Sequence, residues 1–161
     1  RADHPLQEAI RTYLEGIADE RIEHVGVDGC GAPVLSLSLV GLARALSRIV
    51  LAEPASPGGR VVDAIRSHPM LVAGTRRDVT AWMLANHGLV VKDGGSGVMV
   101  FALADGTAVS LRIDDGSAQA RQVVTAALLD RVGADGSTPT ALSTIPVPGG
   151  NGVVGEVAAR L

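Results

Sequence analysis

The sequence is poor in cysteine and aromatic residues, and each shortage excludes a class of protein. One cysteine in 161 residues cannot form an internal disulfide and fits a reducing compartment, so we expect a cytoplasmic location. Aromatic residues make up 2% of the chain, too few for the stacking platforms that bind single-stranded nucleic acids. The net charge of −3, spread evenly, also argues against a nucleic-acid partner.

Long hydrophobic runs are also missing from the sequence. A membrane-spanning helix needs roughly eighteen or more consecutive apolar residues, and no such run is present, so we expect no membrane association. Hydrophobic residues nevertheless make up 47% of the chain and charged residues 19%, a composition typical of a folded core. Because 161 residues suit one domain of ordinary size, we expect residues 1–161 to form a single domain.

Helical patterns dominate the first half of the chain. Residues 3–18 predict an amphipathic helix capped by Asp3 or His4, with one apolar face. A short strand over 22–27 and a glycine-rich turn follow, and Ser36 is the predicted cap of the next helix. The run 53–59 is expected to be a loop because it contains prolines and glycines. Short helices are predicted over 60–67 and 76–85.

The second half begins with strand patterns. Short strands are predicted over 89–92, 98–103 and 107–113, and Asp105-Gly106 is a strong hairpin signal between the last two. Ser117 is expected to cap a helix that continues to about 132, a loop is predicted over 133–150, and a final strand over 153–158. The inward residues of that helix are predicted to be Ala120, Val123, Val124, Ala127 and Leu128. This order predicts an α+β fold, an antiparallel sheet with packed helices.

The turn Asp28-Gly29-Cys30-Gly31 has two interpretations. Free cysteine is among the most buried residue types, so the turn could simply enclose a small thiol. Alternatively, the glycines let the backbone approach a ligand, and Asp28 and Cys30 can both point at one cation or one substrate amine. A lone cysteine is a poor zinc site, because zinc takes three or four protein ligands.

Lys92-Asp93-Gly94 resembles the Lys-Thr-Gly element of penicillin-recognising enzymes, in which the lysine fixes a carboxylate. The alternative is an exposed lysine before a turn. The usual partner of that element is Ser-x-x-Lys, which this sequence cannot contain because its only lysine follows Leu89 by three residues. The Gly-x-Gly-x-x-Gly match at 150–155 lacks the strand, helix and acidic residue of a dinucleotide site.

Several motifs in order resemble one family. They are His4-Pro5-Leu6-Gln7, Val27-Asp28-Gly29-Cys30-Gly31-Ala32-Pro33, Leu42-Ala43-Arg44-Ala45, His68-Pro69-Met70-Leu71-Val72-Ala73-Gly74-Thr75, Lys92-Asp93-Gly94, Ile113-Asp114-Asp115-Gly116 and Asn151-Gly152-Val153-Val154-Gly155. Together they resemble the bacterial asparaginase II family. The resemblance implies a fold related to serine β-lactamases and glutaminases, and it covers only the C-terminal half of such proteins.

The resemblance also implies roles for individual residues. Cys30 would be a ligand of zinc in the complete site, together with a Cys-x-x-Lys pair from the other half of the family's chain, so no zinc is expected in this chain alone. Asp28 would contact the substrate or support the metal. Lys92 and Arg112 would be catalytic, while Arg77 and Gly94 would bind the substrate. The family's nucleophile, in a Ser-x-x-Lys pair, would also lie in the other half.

Two departures from the family pattern bear on activity. Ser96 stands where the family usually has a glutamate, and Arg112 stands where it usually has a lysine. Arginine keeps the charge but cannot accept a proton. The favoured function is hydrolysis of L-asparagine to L-aspartate and ammonia by a protein of which this chain is a portion. A non-catalytic relative, or a module that binds a small molecule or a partner, is the alternative, and a homodimer is a possible assembly.

Overall fold

The computed structural model describes residues 1–134, 136 and 139–161. Helices and short antiparallel strands are mixed along the described chain, which confirms the predicted α+β class. In chain order the elements are α1 (Pro5–Ala18), β1 (Val25–Val27), β2 (Pro33–Leu35), α2 (Leu39–Val50), α3 (Pro57–Ser67), α4 (Pro69–Ala73), α5 (Asp78–Ala85), β3 (Val90–Asp93), β4 (Val98–Ala102), β5 (Ala108–Arg112), α6 (Ala118–Arg131), α7 (Thr140–Ser143), β6 (Thr144–Gly149) and β7 (Gly152–Ala158).

The central sheet has the strand order β3-β4-β5, all antiparallel, with Lys92 opposite Val100 and Val100 opposite Ser110. The predicted turn at Asp105-Gly106 joins β4 and β5. Gly106 has a φ of +89°, which favours glycine at this position, and its amide donates to the carbonyl of Leu103 at 3.1 Å. The hairpin prediction is therefore confirmed.

Helices cover both faces of this sheet. On one face, Val90 and Ala102 are buried against Val50 of α2 and Val62 of α3. The opposite face forms the larger core with α5 and α6, which contains Val91, Met99, Phe101, Trp82 and Leu129. Burial on both faces explains why the sequence of β3 begins with consecutive apolar residues instead of alternating ones.

The helix α2 begins at Leu39, and its cap is Ser38 instead of the predicted Ser36. The Ser38 hydroxyl accepts from the amide of Gly41 at 2.9 Å, and it donates to the Glu20 carboxylate at 2.6 Å. Ser36 instead accepts from the amide of His24 at 3.1 Å, just outside the β1–β2 pair. The prediction was wrong because a tertiary carboxylate, invisible in a local pattern, selects the serine nearer the helix.

Of the two caps predicted for α1, Asp3 and His4, the structure has His4, whose Nδ1 accepts from the amide of Leu6 at 3.2 Å. Its predicted apolar face is only partly covered. Near the end of α1 the residue Ala18 is buried, whereas Ile10 and Tyr13 are 42% and 56% exposed. Arginines of α2 satisfy carbonyls at the C-terminal end of α1, which fixes that end of the helix against α2.

Four further boundaries differ from the predictions. The strand predicted over 22–27 is shortened to β1, and the helix predicted over 76–85 is shortened to α5. The helix predicted from residue 60 begins at Pro57, because Ser56 caps it by accepting from the amide of Gly59 at 3.1 Å. Pro69 occupies the first turn of α4, a further helix, instead of only ending the preceding one.

The inward face of α6 also differs from the prediction. Among the predicted positions Val123 is buried, but Ala120, Val124, Ala127 and Leu128 are only partly buried. The buried positions include Arg121, Thr125 and Leu129. These three residues are spaced four apart and share one helical face. Arg121 can lie on the buried face because Asp78 and Asp93 accept hydrogen bonds from its guanidinium.

The predicted loop over 133–150 is wrong in its second part. It contains α7 and the strand β6, which pairs with β7 through residues such as Val147 opposite Gly155. The prolines of β6 suggested a loop, but an antiparallel pair with open edges tolerates proline. Positions 135, 137 and 138 of that prediction lie outside the described residues. The final strand predicted over 153–158 is confirmed as β7.

Candidate functional site

The end of strand β3 carries the first candidate residue, Lys92. Its side chain is 57% exposed, and its ammonium donates to the carbonyl of Asp93 at 2.6 Å and to Asp93 Oδ1 at 3.0 Å. Lys92 lies on the same sheet face as Val100 and Ser110, which are its neighbours across the strands. The ammonium is therefore held at the rim of the sheet while it stays accessible to solvent.

A tight turn follows the lysine. The amide of Gly94 donates to the carbonyl of Val98 at 3.0 Å, and Ser96 adopts a φ of +52°. Gly97 has a φ of +73°, and a Cβ added there would lie 2.8 Å from the carbonyl oxygen of Ile113. Close backbone packing and the left-handed conformation together require glycine at position 97. The turn is thus fixed against the segment that follows β5.

Arg112 lies on the same sheet face as Lys92, two strands away. It pairs with Val98, and its side chain is exposed. A Cβ added at Gly94 would lie 3.2 Å from the Cβ of Val98, so Arg112 and Gly94 flank the same valine. The geometry brings Lys92, Gly94 and Arg112 to one end of the sheet.

Asp93 connects this end of the sheet to two helices. Its Oδ2 accepts from Arg77, just before α5, at 2.5 Å and from Arg121 of α6 at 3.3 Å. Arg121 also donates to Asp78 Oδ2 at 3.1 Å. Arg77, Asp78, Lys92, Asp93 and Arg121 are called the β3 ion cluster below. Arg77, predicted to bind substrate, is thus within this cluster, and its side chain is 50% exposed.

The charges of the cluster act on Asp93. Burial alone favours the neutral acid, but the hydrogen bond from Lys92 and the positive charges of Lys92, Arg77 and Arg121 outweigh it. They hold the pKa of the Asp93 carboxyl below its usual range. Asp93 is therefore an anion at neutral pH, and its charge is shared between an exposed lysine and a buried arginine.

Sequence analysis did not identify Asp78, Asp93 or Arg121. Asp93 was seen only as part of a motif, and Arg121 fell between positions expected to face inward. A signal did exist, because Arg121 shares a helical face with Thr125 and Leu129. An arginine on an apolar face needs buried acceptors, and Asp78 and Asp93 are the acidic residues that supply them here.

The second candidate region is the turn between β1 and β2. The amide of Asp28 donates to the carbonyl of Ala32 at 2.9 Å, and Gly31 has a φ of +81°. The Asp28 carboxylate accepts from the amide of Gly29 at 2.7 Å and lies 3.8 Å from Cys30 Sγ. Cys30 is exposed, so the interpretation of a buried thiol is wrong.

This turn does not fit a complete zinc site. It offers one thiol and one carboxylate, and the described residues contain no group of three or more His, Cys, Asp and Glu side chains placed to hold a metal. Structural zinc takes four protein ligands and catalytic zinc takes three. The donor set of the turn in this chain is therefore incomplete.

The two regions are separate in their contacts. Within the described part of the chain, no side-chain hydrogen bond or ion pair joins Asp28 or Cys30 to the β3 ion cluster. The prediction that Cys30 and Asp28 face Lys92 across one cleft therefore stays a prediction. Four of the predicted site residues, Lys92, Gly94, Arg77 and Arg112, gather at one end of the sheet.

A family model described as L-asparaginase II matches residues 1–159. The chain belongs to the L-asparaginase II family, a family of asparaginase-type amidohydrolases, and asparagine is the substrate that this membership implies. None of the curated proteins matches the sequence. In the described residues, no helix combines the length and the apolar character needed to cross a membrane.

Proposed function

We propose that this chain supplies the lysine-bearing strand of a site that hydrolyses L-asparagine to L-aspartate and ammonia. The main support is the Lys92 ammonium, which is exposed at the end of β3 and donates a hydrogen bond to Asp93 beside a glycine turn. A fixed cation at a strand end is suited to a substrate carboxylate, and free asparagine carries one. Family membership supports this substrate class.

The nucleophile comes from outside these residues in this proposal. Asparaginase chemistry by acyl transfer needs an activated hydroxyl, which attacks the side-chain amide carbon, expels ammonia and leaves an ester that water cleaves. The sequence has one lysine, at position 92, and no serine three residues before it. A Ser-x-x-Lys pair therefore has to be contributed by another segment.

Arg112 has an electrostatic role in this proposal. Its guanidinium is permanently charged and does not accept a proton at any working pH, so it cannot be a general base. It lies on the same face as Lys92 with Val98 and Val100 on the strand between them. Two cations on one face favour an anionic ligand at this exposed end of the sheet, and Gly94 leaves the backbone there without a side chain.

Asp28 and Cys30 stay outside this core of the proposal. Their turn is exposed and could present the carboxylate or the thiol to a ligand, as the family resemblance implies. In the described part of the chain, the hydrogen bonds within the turn join residues 28–32 to one another. The contribution of Asp28 to substrate binding and of Cys30 to metal binding is therefore proposed to depend on contacts from the segment that brings the nucleophile.

A non-catalytic relative is the second candidate. It is favoured by Ser96 and Arg112, which stand where the family usually has a glutamate and a lysine. Glutamate and lysine can exchange a proton, whereas serine and arginine do not do so at neutral pH. In this case the cationic face of the sheet would bind an anionic small molecule without turnover. Binding of L-aspartate with no ammonia release in any context would select this candidate.

The test measures ammonia released from L-asparagine by two proteins. One is the 161-residue chain, which we expect to be inactive, and the other is the same chain with an upstream segment carrying Ser-x-x-Lys, which we expect to be active. Replacing Lys92 with methionine in the longer protein should lower kcat/KM on the order of a hundredfold, because the charged hydrogen bond to the substrate carboxylate is lost.

Arg60→Met is the matched control, because Arg60 is an exposed residue of α3, on a different element from Lys92. Its activity should equal that of the unchanged protein. Turnover by the 161-residue chain alone, abolished by replacing one of its serines, would contradict the proposal. So would an active longer protein whose rate is the same with methionine at position 92.

A further inference from the structure

The side chain of Asp93 has two sides with different partners. Oδ1 accepts from Lys92 at 3.0 Å, whereas Oδ2 accepts from Arg77 and Arg121. Lys92 and Arg77 are about half exposed, but the Arg121 side chain is only 8% exposed. The carboxylate therefore lies between an ammonium in solvent and a guanidinium in the interior.

Burying the guanidinium of Arg121, a residue of α6, removes it from water and is energetically costly. A buried guanidinium is stable only when carboxylates and hydrogen bonds replace its water. Asp78 accepts at 3.1 Å and Asp93 at 3.3 Å, while Arg121 Nε is buried with no hydrogen-bond partner in the described structure. The hydrogen bonds of Arg121 thus go to two carboxylates, and one of these, Asp93, also accepts from Lys92.

The contact of Arg121 with Asp93 is not needed to hold α6 against α5. The pair of Arg121 with Asp78 already joins those two helices. The additional bond to Asp93 extends the connection to the last residue of β3 and, through it, to the Lys92 ammonium. Rotation of the Asp93 carboxylate would carry Oδ1 away from Lys92, and the guanidinium on Oδ2 opposes that rotation.

We propose that Arg121 is a positioning residue, which orients the Asp93 carboxylate so that it fixes the ammonium of Lys92 at the end of β3. The inference rests on the proposed function, in which Lys92 faces the substrate. Arg77 shares the same oxygen from the solvent side. Because Arg121 is buried and Arg77 is half exposed, Arg121 is the more rigid of the two anchors.

The experiment uses the fact that Lys92 is the only lysine in the sequence. An amine-acylating reagent then labels one side chain, and peptide mass spectrometry separates it from the α-amino group. The rate of labelling is measured in the folded chain and divided by the rate in denaturant. This ratio reports how firmly the ammonium is held, and a change in global stability alone does not move it while the chain remains folded.

Asp93→Asn should raise the ratio about threefold, since an ion pair with an exposed partner is weak. Arg121→Met should raise it in the same direction. In Arg121→Lys the introduced lysine is labelled as well, so the ratio is read on the separate peptide that contains Lys92. The value should be intermediate, because a lysine keeps the charge but lacks the planar fork that reaches two carboxylates. If Arg121→Met does not fold, Arg121→Lys provides the test by itself.

Two controls separate positioning from loosening of the structure. Arg44→Met removes an arginine that donates to the carbonyl of Ala18 at 2.8 Å, without contact to Asp93. Arg48→Met removes an arginine that donates to the carbonyl of Gly16 at 2.7 Å, again without contact to Asp93. Neither variant should change the ratio.

A ratio that stays at the original value in folded Arg121→Met and Arg121→Lys would overturn the proposal. An equal rise in Arg44→Met would do the same, because the effect would then be unspecific. The labelling needs no turnover, so its outcome is independent of the asparaginase assay. A chain that follows the expected ratios but never supports ammonia release would refute the proposed function and leave the positioning role of Arg121 intact.

Discussion

The end of strand β3 and the turn between β1 and β2 both carry predicted site residues, but they are held in different ways. At β3, residues from the sheet, from α6 and from the start of α5 converge on one carboxylate, Asp93. At the Asp28 turn, the hydrogen bonds of the described chain are local: the amide of Gly29 donates to the Asp28 carboxylate, the amide of Gly31 to the Asp28 carbonyl, and the amide of Asp28 to the Ala32 carbonyl. A site needs anchors from several elements to be preorganised, and only the first region has them.

The largest expected difference between the regions concerns stability. Arg121→Met should lower the free energy of unfolding by about 3–5 kcal/mol, because it leaves the buried carboxylates of Asp78 and Asp93 without their interior cation. Asp28→Asn, in the exposed turn, should change it by less than about 0.5 kcal/mol. Urea denaturation followed by circular dichroism measures both values.

Arg1→Met provides the control for loss of an arginine, since the Arg1–Asp3 pair is exposed at both ends. It should be neutral within the error of the measurement. A loss below about 1 kcal/mol for Arg121→Met would mean that the cluster relaxes into solvent when the arginine is removed, and the contrast between the two regions would then disappear.

A smaller effect is expected from acid. The pKa of Asp93 is lowered from its ordinary value of 3.8, so its ion pairs stabilise the fold above that pH and are lost as the pH falls through the lower folded value. Asp93→Asn should therefore cost about 1 kcal/mol at neutral pH, and the difference from the unchanged chain should shrink below about pH 4. Unfolding curves at several pH values measure this difference.

Asp3→Asn is the control at neutral pH, because it removes a carboxylate from an ion pair that is exposed at both ends. It should change the free energy of unfolding by less than about 0.5 kcal/mol. If the Asp93→Asn difference instead grew as the pH fell, the carboxyl would have a raised pKa and the description of the cluster would be wrong.

The two turns also differ in the residues that adopt a left-handed backbone conformation, and substitutions there should change the stability in opposite directions. Ser96 has a φ of +52°, where a side chain is strained, whereas Gly31 has a φ of +81° and open space around it. Ser96→Gly should stabilise by about 0.5 kcal/mol, the relief of strain less the entropy of glycine. Gly31→Ala should destabilise by about 1 kcal/mol. Thermal unfolding measures both shifts, and equal signs would contradict the assigned backbone conformations.

Sequence periodicity predicted those parts of the fold that local interactions decide. The hairpin at Asp105-Gly106, the cap His4 and the strand over 153–158 follow from turn chemistry and alternation, and all three are present. The cap of α2 could not be predicted, because Glu20 selects Ser38 through a tertiary contact. The strand β6 was missed because its prolines obscured a pattern that only pairing with β7 reveals.

The candidate site divides along the same line. Lys92 and Gly94 were identified from a motif, and Arg77 from family resemblance, and they lie together. The buried half of the cluster, Asp78 and Arg121, could not be found by either route, because its residues are far apart in sequence and meet only through packing of α6 on α5. Charged residues in an apolar pattern are the sequence signal that such a cluster leaves.

The smallest expected effect concerns metal at the Asp28 turn. Cys30 and Asp28 supply two donors, whereas zinc takes three or four protein ligands, so the 161-residue chain should hold well below one zinc per chain after dialysis. Cys30→Ala should leave that content unchanged. A longer protein that restores Cys-x-x-Lys should bind about one zinc, which Cys30→Ala should then remove. Elemental analysis measures all four proteins. Tight zinc in the short chain would require local ligands such as His24, and Cys30-independent zinc in the longer one would remove Cys30 from the metal site.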